Sequence, residues 1–569
     1  MGGLLLTLAV PAAAKYDIRI EAPRPVRRLL QQHLDLARFA KRDDITDDQF
    51  EFLLTATPQQ VRDLVATDGY FSPVVRTDVR TVEGKRDVTI HVDAGPRTMV
   101  SSIDLMFDGP VTTEAPAREN AARFAFSLHV GDPFTQTGWN DAKGAALKAL
   151  QAQRYLGASI VRSEVRIDPR RKTAALSVTF ASGPTFTLGP LDVSGVRRYP
   201  GWIVTNVNPL SIGEPYSVER VSELQRQLQN TPYYASVAID LDNDASRPNE
   251  TPIHVKVSEY QFHSVRGGVG YATDTGAHIQ GAYTYLNTFG AAWPFSVQGR
   301  LDQIQQYGQL ELSMPPGERG WVNSVLASYT NTDVSGTRIY SARAGVQRRR
   351  TAQFIDYSYS IQYYNDRLDQ NAVGPTTSRA LVPQWSWTRR DVDDLLFPRS
   401  GTVLHVEAGF AIKGVLADQT FARVYTRGQK FVPIGRRDLV VFRAEFGGVF
   451  TSGSSSGVPA SLLFRAGGSN SVRGYAFQSI GNNVDGSVLP TKYLITASAE
   501  YQHWFSRDWG AAVFYDIGTA TDTWNERTFF PGYGVGVRWR SPVGPVNVDL
   551  AYGVKDKAVR PYLTLGIAF

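Results

Sequence analysis

The residue types that serve enzyme chemistry are sparse in this chain. It has no cysteine and eight histidines, and no His-Glu-x-x-His pair is present to hold a catalytic zinc. Residues 453–457 match Gly-x-Ser-x-Gly around Ser455, but the stretch is rich in serine and glycine, and no helix follows it to form a nucleophile elbow. We therefore expect no enzyme activity, no catalytic residue, no metal site and no cofactor.

An arginine and two carboxylates have the types and spacing for a buried ion pair instead. Arg473 lies in Val472-Arg473-Gly474-Tyr475, within a long connection between two strands. Asp516 and Glu500 lie in alternating runs, and because alternate residues of a strand face one side, both carboxylates are expected on the polar face of neighbouring strands. A connection folded onto that face would bring the guanidinium to them, in hydrogen bonds that are charge-assisted and can be bidentate. We predict contact with Asp516, whereas Glu500 is left open between a second partner and a solvated charge.

The second half of the chain has the periodicity of strands. From about residue 262 onward, apolar residues alternate with polar or small ones, and we count about sixteen candidate strands. Aromatic residues lie at strand ends, as in the girdles of outer-membrane barrels, for example Trp504, Trp509, Tyr533 and Trp539. The longest connection, roughly Thr451 to Thr491, follows the eleventh strand, so it faces the outside if the first strand begins in the periplasm. A soluble β-sandwich also alternates, but these features favour an all-β transmembrane barrel of antiparallel strands.

The first half mixes strands with amphipathic helices and repeats internally. Helices are predicted over Val26–Phe39, Gln49–Leu54, Pro58–Ala66 and Asn140–Gln153. Tyr70, Tyr155 and Tyr233 each follow a helix and precede a strand, and Gly95-Pro96 and Gly183-Pro184 close the first two units. The shared order of these landmarks predicts three copies of a β-α-α-β-β module of about 80 residues.

The N-terminus and the charge limit the compartment and the partners. A short, mostly apolar run from Leu4 to Val10 precedes Pro11 and three alanines, which is typical of a secretory signal cleaved after Ala14. The net charge of +6 comes from 60 basic and 54 acidic side chains in mixed order, which argues against a nucleic-acid partner. No run of 18 apolar residues follows the N-terminus, so we do not expect a helical membrane protein.

The long connection and the last strands resemble the BamA/TamA superfamily of outer-membrane assembly and secretion barrels, over essentially the whole exported chain. The family's loop motif matches Val472, Arg473, Gly474 and Tyr475, which follow Gly467 and Gly468. Other family patterns match Asp516 with Gly518, Pro398 with Gly401, and Pro542 with Gly544 and Pro545. The resemblance implies α+β POTRA modules in the periplasm, followed by an all-β barrel in the bacterial outer membrane. The implied boundaries are a signal peptide at 1–14, POTRA modules at 15–97, 98–185 and 186–261, and a barrel at 262–569.

The resemblance also implies roles for the loop motif and for a seam between the first and last strands. Arg473 would pin the loop inside the lumen, Gly474 would permit a positive φ, and Tyr475 would pack the loop tip. Glycine weakens strands, and the seam residues would be Gly267, Gly268 and Gly270 on the first strand, with Gly566 and Phe569 on the last. A weak seam lets a client strand pair with an exposed edge. Glycine is also common in barrel walls, so the seam is a hypothesis here.

Within the superfamily, three modules resemble the TamA branch, because BamA-type barrels carry five modules and two-partner secretion barrels carry two. This branch implies insertion or secretion of outer-membrane proteins such as autotransporters. The implied partners are a TamB-like inner-membrane-anchored protein, unfolded outer-membrane protein clients and outer-membrane lipid. The alternatives are a two-partner secretion channel for one dedicated exoprotein, an envelope lipid-transport conduit and a passive pore.

Overall fold

The computed structural model describes residues 16–40, 42, 44–82, 85–352, 354–370, 374–542 and 544–565. The signal peptide predicted at 1–14 lies outside the described residues, and so do Gly566 and Phe569 of the predicted seam. Contacts divide the chain into two compact units, one formed by 16–190, 210–221 and 240–253 and the other by the remaining described residues. No helix in these ranges is both long and apolar enough to cross a membrane.

The first module packs three helices against a three-stranded sheet. Its elements are β1 (Tyr16–Glu21), α1 (Arg24–His33), α2 (Asp35–Phe39), α3 (Asp47–Ala66), β2 (Val74–Val82) and β3 (Lys85–Asp93). The sheet order is β1-β3-β2, with β1 parallel and β2 antiparallel to β3. The buried Tyr16 hydroxyl donates to the Leu36 carbonyl oxygen at 2.8 Å, so the core ties the first strand to the helices.

Two helix predictions for this module differ from the structure. The helix expected over Val26–Phe39 is broken at Leu34, whose extended backbone (φ −71°, ψ 125°) separates α1 from α2. The helices expected over Gln49–Leu54 and Pro58–Ala66 are one continuous helix, α3. Pro58 lacks the N–H that would bond to the preceding turn, yet the helix continues because apolar residues on both sides of the proline are buried in one core.

The next two modules repeat the sheet order of the first. The second contains β4 (Met99–Asp108), α4 (Val111–Glu114), α5 (Pro116–Ala125), α6 (Gln136–Gln151), β5 (Ser159–Asp168) and β6 (Thr173–Ala181). The third contains β7 (Leu188–Ser194), α7 (Trp202–Val207), α8 (Val218–Gln229), β8 (Tyr234–Leu241) and β9 (Thr251–Glu259). The sheet orders are β4-β6-β5 and β7-β9-β8. Of the repeated tyrosines, Tyr155 and Tyr233 are fully buried, and Tyr70 is half-buried against the core of the first module.

Sixteen antiparallel strands follow in one sheet, which confirms the predicted fold class. They are β10 (His263–Ala272), β11 (Gly276–Thr288), β12 (Trp293–Leu301), β13 (Gln305–Ser313), β14 (Val322–Val334), β15 (Thr337–Ala352), β16 (Ile355–Gln370), β17 (Thr376–Val392), β18 (Gly401–Ala411), β19 (Phe421–Ile434), β20 (Asp438–Thr451), β23 (Tyr493–Trp504), β24 (Trp509–Thr521), β25 (Phe530–Ser541), β26 (Gly544–Gly553) and β27 (Ala558–Leu565); the loop between β20 and β23 contains a small hairpin, β21 (Asn482–Val484) and β22 (Ser487–Leu489). Each strand pairs with the next in chain order, so β10 and β27 are the two edges of the sheet.

Alternation along the strands separates a polar inner face from an apolar outer face. On β24, Phe514 and Asp516 are buried, whereas Val513 and Tyr515 are about half exposed (52% and 49%). On the outer face, Trp509 and Trp539 stack with their ring centres 5.3 Å apart, as expected for an aromatic girdle. Trp504 differs from the prediction, because it shares the inner face with Glu500 and lies under the Arg540 guanidinium at 3.9 Å.

The long connection between β20 and β23 packs inside the barrel. Val458, Leu462, Ala466 and Ile480 of this loop form one buried cluster with wall residues such as Val449. Apolar burial therefore holds the loop against the inner face and places the predicted motif beside the wall strands β23 to β27.

Candidate functional site

Arg473 lies buried inside the barrel, where three of its donors meet Asp516 on β24. The backbone N–H donates to Asp516 Oδ2 at 3.0 Å, Nε donates to the same oxygen at 2.7 Å, and Nη2 donates to Oδ1 at 3.0 Å. The guanidinium thus makes the bidentate contact with a carboxylate that is the strongest arginine geometry. The additional backbone bond fixes the loop itself, and not only its side chain, at this point of the wall.

Two further carboxylates complete the surroundings of the guanidinium. Nη1 of Arg473 donates to Glu500 Oε2 at 2.7 Å and to Asp549 Oδ2 at 3.1 Å. The guanidinium carbon also lies 3.3 Å from the ring centre of Phe514, which is close enough for a cation–π interaction. The structure therefore brings both predicted carboxylates to Arg473 and adds Asp549.

Two more arginines balance the charge of these carboxylates. Arg538 donates from Nε to Glu500 Oε1 at 2.9 Å and from Nη1 to Asp549 Oδ1 at 2.6 Å. Nη2 of Arg443 lies 3.9 Å from Asp516 Oδ1. The cluster thus holds three guanidinium groups and three carboxylates, and we call it the lumen cluster: Arg443, Arg473, Glu500, Asp516, Arg538 and Asp549. Equal charge matters because an unpaired buried charge is strongly destabilising.

The sequence predictions missed Arg443, Arg538 and Asp549. In the sequence, Arg538 lies between Val537 and Trp539, and Asp549 lies between Val548 and Leu550, so alternation gave a signal for the polar face of each strand. Alternation could not predict how far along the barrel axis each residue lies. The register pairs Gly536, two residues before Arg538, with Asp549, and this offset lets the two charged side chains meet.

Glycines in the wall make room for the loop backbone. Gly474 has a φ of +100°, and a Cβ there would lie 2.7 Å from the backbone N of Gly553 on β26. A Cβ at Gly532 on β25 would collide with the carbonyl oxygen of Arg473. At Gly518, a Cβ would lie 2.6 Å from Cγ2 of Val472. Gly518 belongs to the predicted pattern, whereas Gly532 and Gly553 were not predicted.

The loop tip also binds the last barrel strand. The Tyr562 hydroxyl on β27 accepts a hydrogen bond from the Gly474 N–H at 2.9 Å and donates one to the Tyr475 carbonyl oxygen at 2.7 Å. The Tyr475 hydroxyl donates to the Pro531 carbonyl oxygen at 2.7 Å, and its ring meets Phe530 edge-on. Tyr475 packs the loop tip against the wall in this way.

The loop contacts the first strand pair through residues beside the two predicted glycines. Gly467 and Gly468 have φ values of +105° and +98°, conformations that favour glycine. Ser469 follows them and donates from its N–H and its hydroxyl to Asp274 Oδ2, at 2.8 and 2.5 Å. Asp274 lies in the turn between β10 and β11, so the loop contacts both edges of the sheet.

The other predicted pattern residues lie in two turns at the end of the barrel where the chain enters from the modules. Gly401 begins β18 with a φ of +122°, and Pro398 lies in the turn before it. Pro542 lies in the turn between β25 and β26, and Gly544 and Pro545 begin β26, where the Ser541 hydroxyl donates to the Gly544 carbonyl oxygen at 2.6 Å. The structure does not bring these residues to Arg473, and they shape turns instead.

The predicted seam lies between β10 and β27. Gly267, Gly268 and Gly270 lie on β10, which pairs along its whole length with β11. In the described part of the seam, Leu563 N–H donates to Thr273 Oγ1 at 2.8 Å, and Thr273 N–H donates to the Leu563 carbonyl oxygen at 3.4 Å.

Comparisons with known proteins agree with this architecture. Residues 287–569 match the model of the Omp85 superfamily domain. The chain is 24% identical to the outer membrane protein assembly factor BamA of Nitratidesulfovibrio vulgaris over 400 residues, which cover 63% of this chain and 47% of that protein, so it spans less than half the length of this relative. It is 20% identical to the outer membrane protein assembly factor BamA of Neisseria meningitidis serogroup B over 577 residues, covering 88% of this chain and 70% of the relative.

A solved structure shows the same fold. The crystal structure of BamA from Haemophilus ducreyi lacking POTRA domains 1–3 aligns with a TM-score of 0.57 at 17% identity, covering 82% of this chain and 98% of that one. The barrel therefore lies in the bacterial outer membrane, with the α/β modules in the periplasm. The family match therefore identifies residues 287–569 as an Omp85 superfamily domain, and the curated relatives and the shared fold agree with it.

Proposed function

We propose that this protein assembles or secretes outer-membrane proteins through the seam between β10 and β27. The observation that carries this function is that β10 and β27 are the two edges of the sheet and that one loop holds both sides, through Asp274 and Tyr562. β10 forms a full ladder with β11, and β27 forms one with β26. In the described part of the seam, which ends at Leu565, two hydrogen bonds join Thr273 and Leu563.

Edge strands inside a membrane bind other strands readily. An unpaired backbone N–H or C=O group in lipid is costly, because no water is present to satisfy it. A client strand that adds to β10 or β27 would satisfy those groups by β-augmentation. The glycines of β10 lower the resistance of this edge to bending, because they carry no side chain to pack.

The lumen cluster keeps the resting barrel in one arrangement. Arg473 holds the loop on β24, and the same loop reaches the last strand through Tyr562 and the first hairpin through Asp274. Opening the seam would separate the strands that carry Tyr562 and Asp274, so it must break or carry along at least one of these loop contacts. We infer that the loop sets how readily the seam opens.

The finer assignment is a TamA-type role with a TamB-like partner anchored in the inner membrane. It is supported by the resemblance of the loop motif and by three modules that share one sheet order before the barrel. Each module sheet has two edge strands, such as β1 and β2 in the first module, that suit docking by strand addition. The alternative is a two-partner secretion channel for one exoprotein or a conduit for lipid.

A photo-crosslinking residue placed at each of two positions tests use of the seam and the TamA-type role separately. At Val269, an outward position on β10, we expect capture of newly exported outer-membrane proteins, whereas the outward Val325 on β14 serves as the control. Equal capture at both positions would contradict use of the seam.

The second position is the exposed Gln32 in α1. Capture of a large β-rich inner-membrane protein there would support the TamA-type role. Capture of one secreted exoprotein there would instead favour two-partner secretion.

A further inference from the structure

We propose that the outer wall at β14–β17 holds one glycerophospholipid, with its phosphate between Arg348 and Arg350 and an acyl chain in an adjoining groove. This inference rests on the location in the outer membrane and not on the proposed assembly function. The two can therefore fail independently.

Two rows of outward-facing polar and aromatic side chains cross these strands near the periplasmic turns. In strand order and in register, one row is Asn323, Arg348, Tyr359 and Trp385, and the other is Arg350, Tyr357 and Trp387. The Arg348 guanidinium carbon lies 5.0 Å from the ring centre of Trp321. Cations stacked on tryptophan, with further aromatic rings beside them, are typical of the level of lipid headgroups.

The wall is concave directly beyond these rows, toward the membrane interior. The next row in register is Val325, Val346, Ile361 and Pro383. It lines an apolar groove of 910 Å³ with Arg348 at its end. The groove lies where β17 and β18 separate, because their pairing begins only at Gln384 and Pro383 has no N–H to extend it. Outward-facing alanines on the neighbouring strands, Ala408 and Ala422, keep it open.

The two arginines have no carboxylate partner among the residues that the structure describes. Nε of Arg350 is buried and has no hydrogen-bond acceptor in the described chain. Arg349, which lies between them on the inner face, contrasts with both, because it contacts Glu311 Oε1 at 2.5 Å. Arg348 is exposed and Arg350 is half-buried, so an acceptor from outside the chain can reach both side chains.

A glycerophospholipid of the periplasmic leaflet has the chemistry that fits this surface. Its phosphodiester offers acceptor oxygens and a negative charge to two guanidinium groups. Its acyl chain fits the apolar groove, which begins at Arg348 and extends toward the membrane interior. Because β14–β17 are the fifth to eighth of sixteen strands, the site lies across the barrel from the seam.

Native mass spectrometry of the full chain in detergent, with phosphatidylglycerol added, tests this site. We expect one retained lipid, and an Arg348→Gln/Arg350→Gln variant should lower the lipid-bound fraction about tenfold or more. Diacylglycerol with the same acyl chains should not be retained, because it lacks the phosphate. Arg338→Gln is the matched control, since Arg338 lies on the same outer face of β15 at its opposite end and pairs with Asp333.

Folding of each variant is checked by its heat-modifiable migration on a gel. If the double glutamine variant fails to fold, Arg348→Lys/Arg350→Lys keeps both charges and should retain part of the lipid. Equal retention by the native chain and the folded double variant would overturn the site. Equal loss in Arg338→Gln, or equal retention of diacylglycerol, would overturn it as well.

Discussion

The Tyr562 hydroxyl donates a hydrogen bond to the carbonyl oxygen of Tyr475 at 2.7 Å, across 87 residues of sequence. The same hydroxyl accepts from the N–H of Gly474, so one side chain of the last strand satisfies two backbone groups of the loop. On the other side of the seam, Asp274 accepts two hydrogen bonds from Ser469 of that loop. The loop thus bridges both edges of the seam.

We predict that Tyr562→Phe loosens the loop from the last strand. The substitution removes the hydroxyl and leaves the buried Gly474 N–H without its acceptor, which costs about 1–3 kcal/mol. The Tyr475 carbonyl oxygen keeps its hydrogen bond from the Gly468 N–H at 3.1 Å. Hydrogen exchange at the Gly474 amide should become faster, while the barrel stays folded. Tyr552→Phe on the outer face of β26 is the control and should leave that exchange unchanged. No change in Tyr562→Phe would show that the hydroxyl does not hold the loop.

Arg473→Ala should leave a folded barrel with reduced client assembly. Without Arg473, two arginines remain to balance three buried carboxylates, so the carboxylates repel each other. Breaking a buried ion pair costs about 3–5 kcal/mol of stability. The strand ladders do not depend on this side chain, so insertion of the barrel itself should continue. Assembly of a model autotransporter in vesicles, at equal barrel levels, gives the measurement. Unchanged assembly would mean that the motif has no part in activity.

The contribution of the lumen cluster to stability should depend more on its charge balance than on any single contact. Asp549→Asn and Arg538→Gln each leave one net charge buried, whereas the double variant restores neutrality. We therefore expect the double variant to be more stable than the sum of the single effects predicts, with a coupling of about 0.5–3 kcal/mol. Urea unfolding of the barrel in micelles measures it. Simple additivity would contradict a cooperative cluster.

Gly532→Ala should displace the loop without changing any charge. Its Cβ would collide with the Arg473 carbonyl oxygen, and overpacking of this kind costs about 1–3 kcal/mol. Gly308→Ala on β13 is a matched control, because a Cβ there meets no atom within 4 Å. Protease cleavage within the loop should increase in Gly532→Ala alone. Equal cleavage in both variants would place the loop elsewhere.

Sequence patterns predicted the fold and part of the site. Period-two alternation gave the number of strands and the faces of Asp516 and Glu500, because the pleat makes facing a local property. It could not pair Arg538 with Asp549 or Asp274 with Ser469. The first contact depends on the strand register. The second depends on the path of the loop, since Ser469 and Asp274 are 195 residues apart in sequence.

The helix errors in the first module have a related cause. The proline at position 58 led us to predict two helices instead of α3. The helix is continuous because apolar residues on both sides of Pro58 are buried in one core. Tertiary packing thus outweighed a local preference.

A disulfide across the seam tests the central claim most directly. The chain has no cysteine, so Thr273→Cys with Leu563→Cys would form the only possible disulfide, where Thr273, the residue after β10, contacts β27. Val548→Cys with Leu563→Cys joins registered neighbours on β26 and β27 and is the control. We expect the oxidised seam pair to lose client assembly and regain it with reductant, while the control pair stays active. Full activity with the seam bond formed would contradict opening of the barrel at this seam.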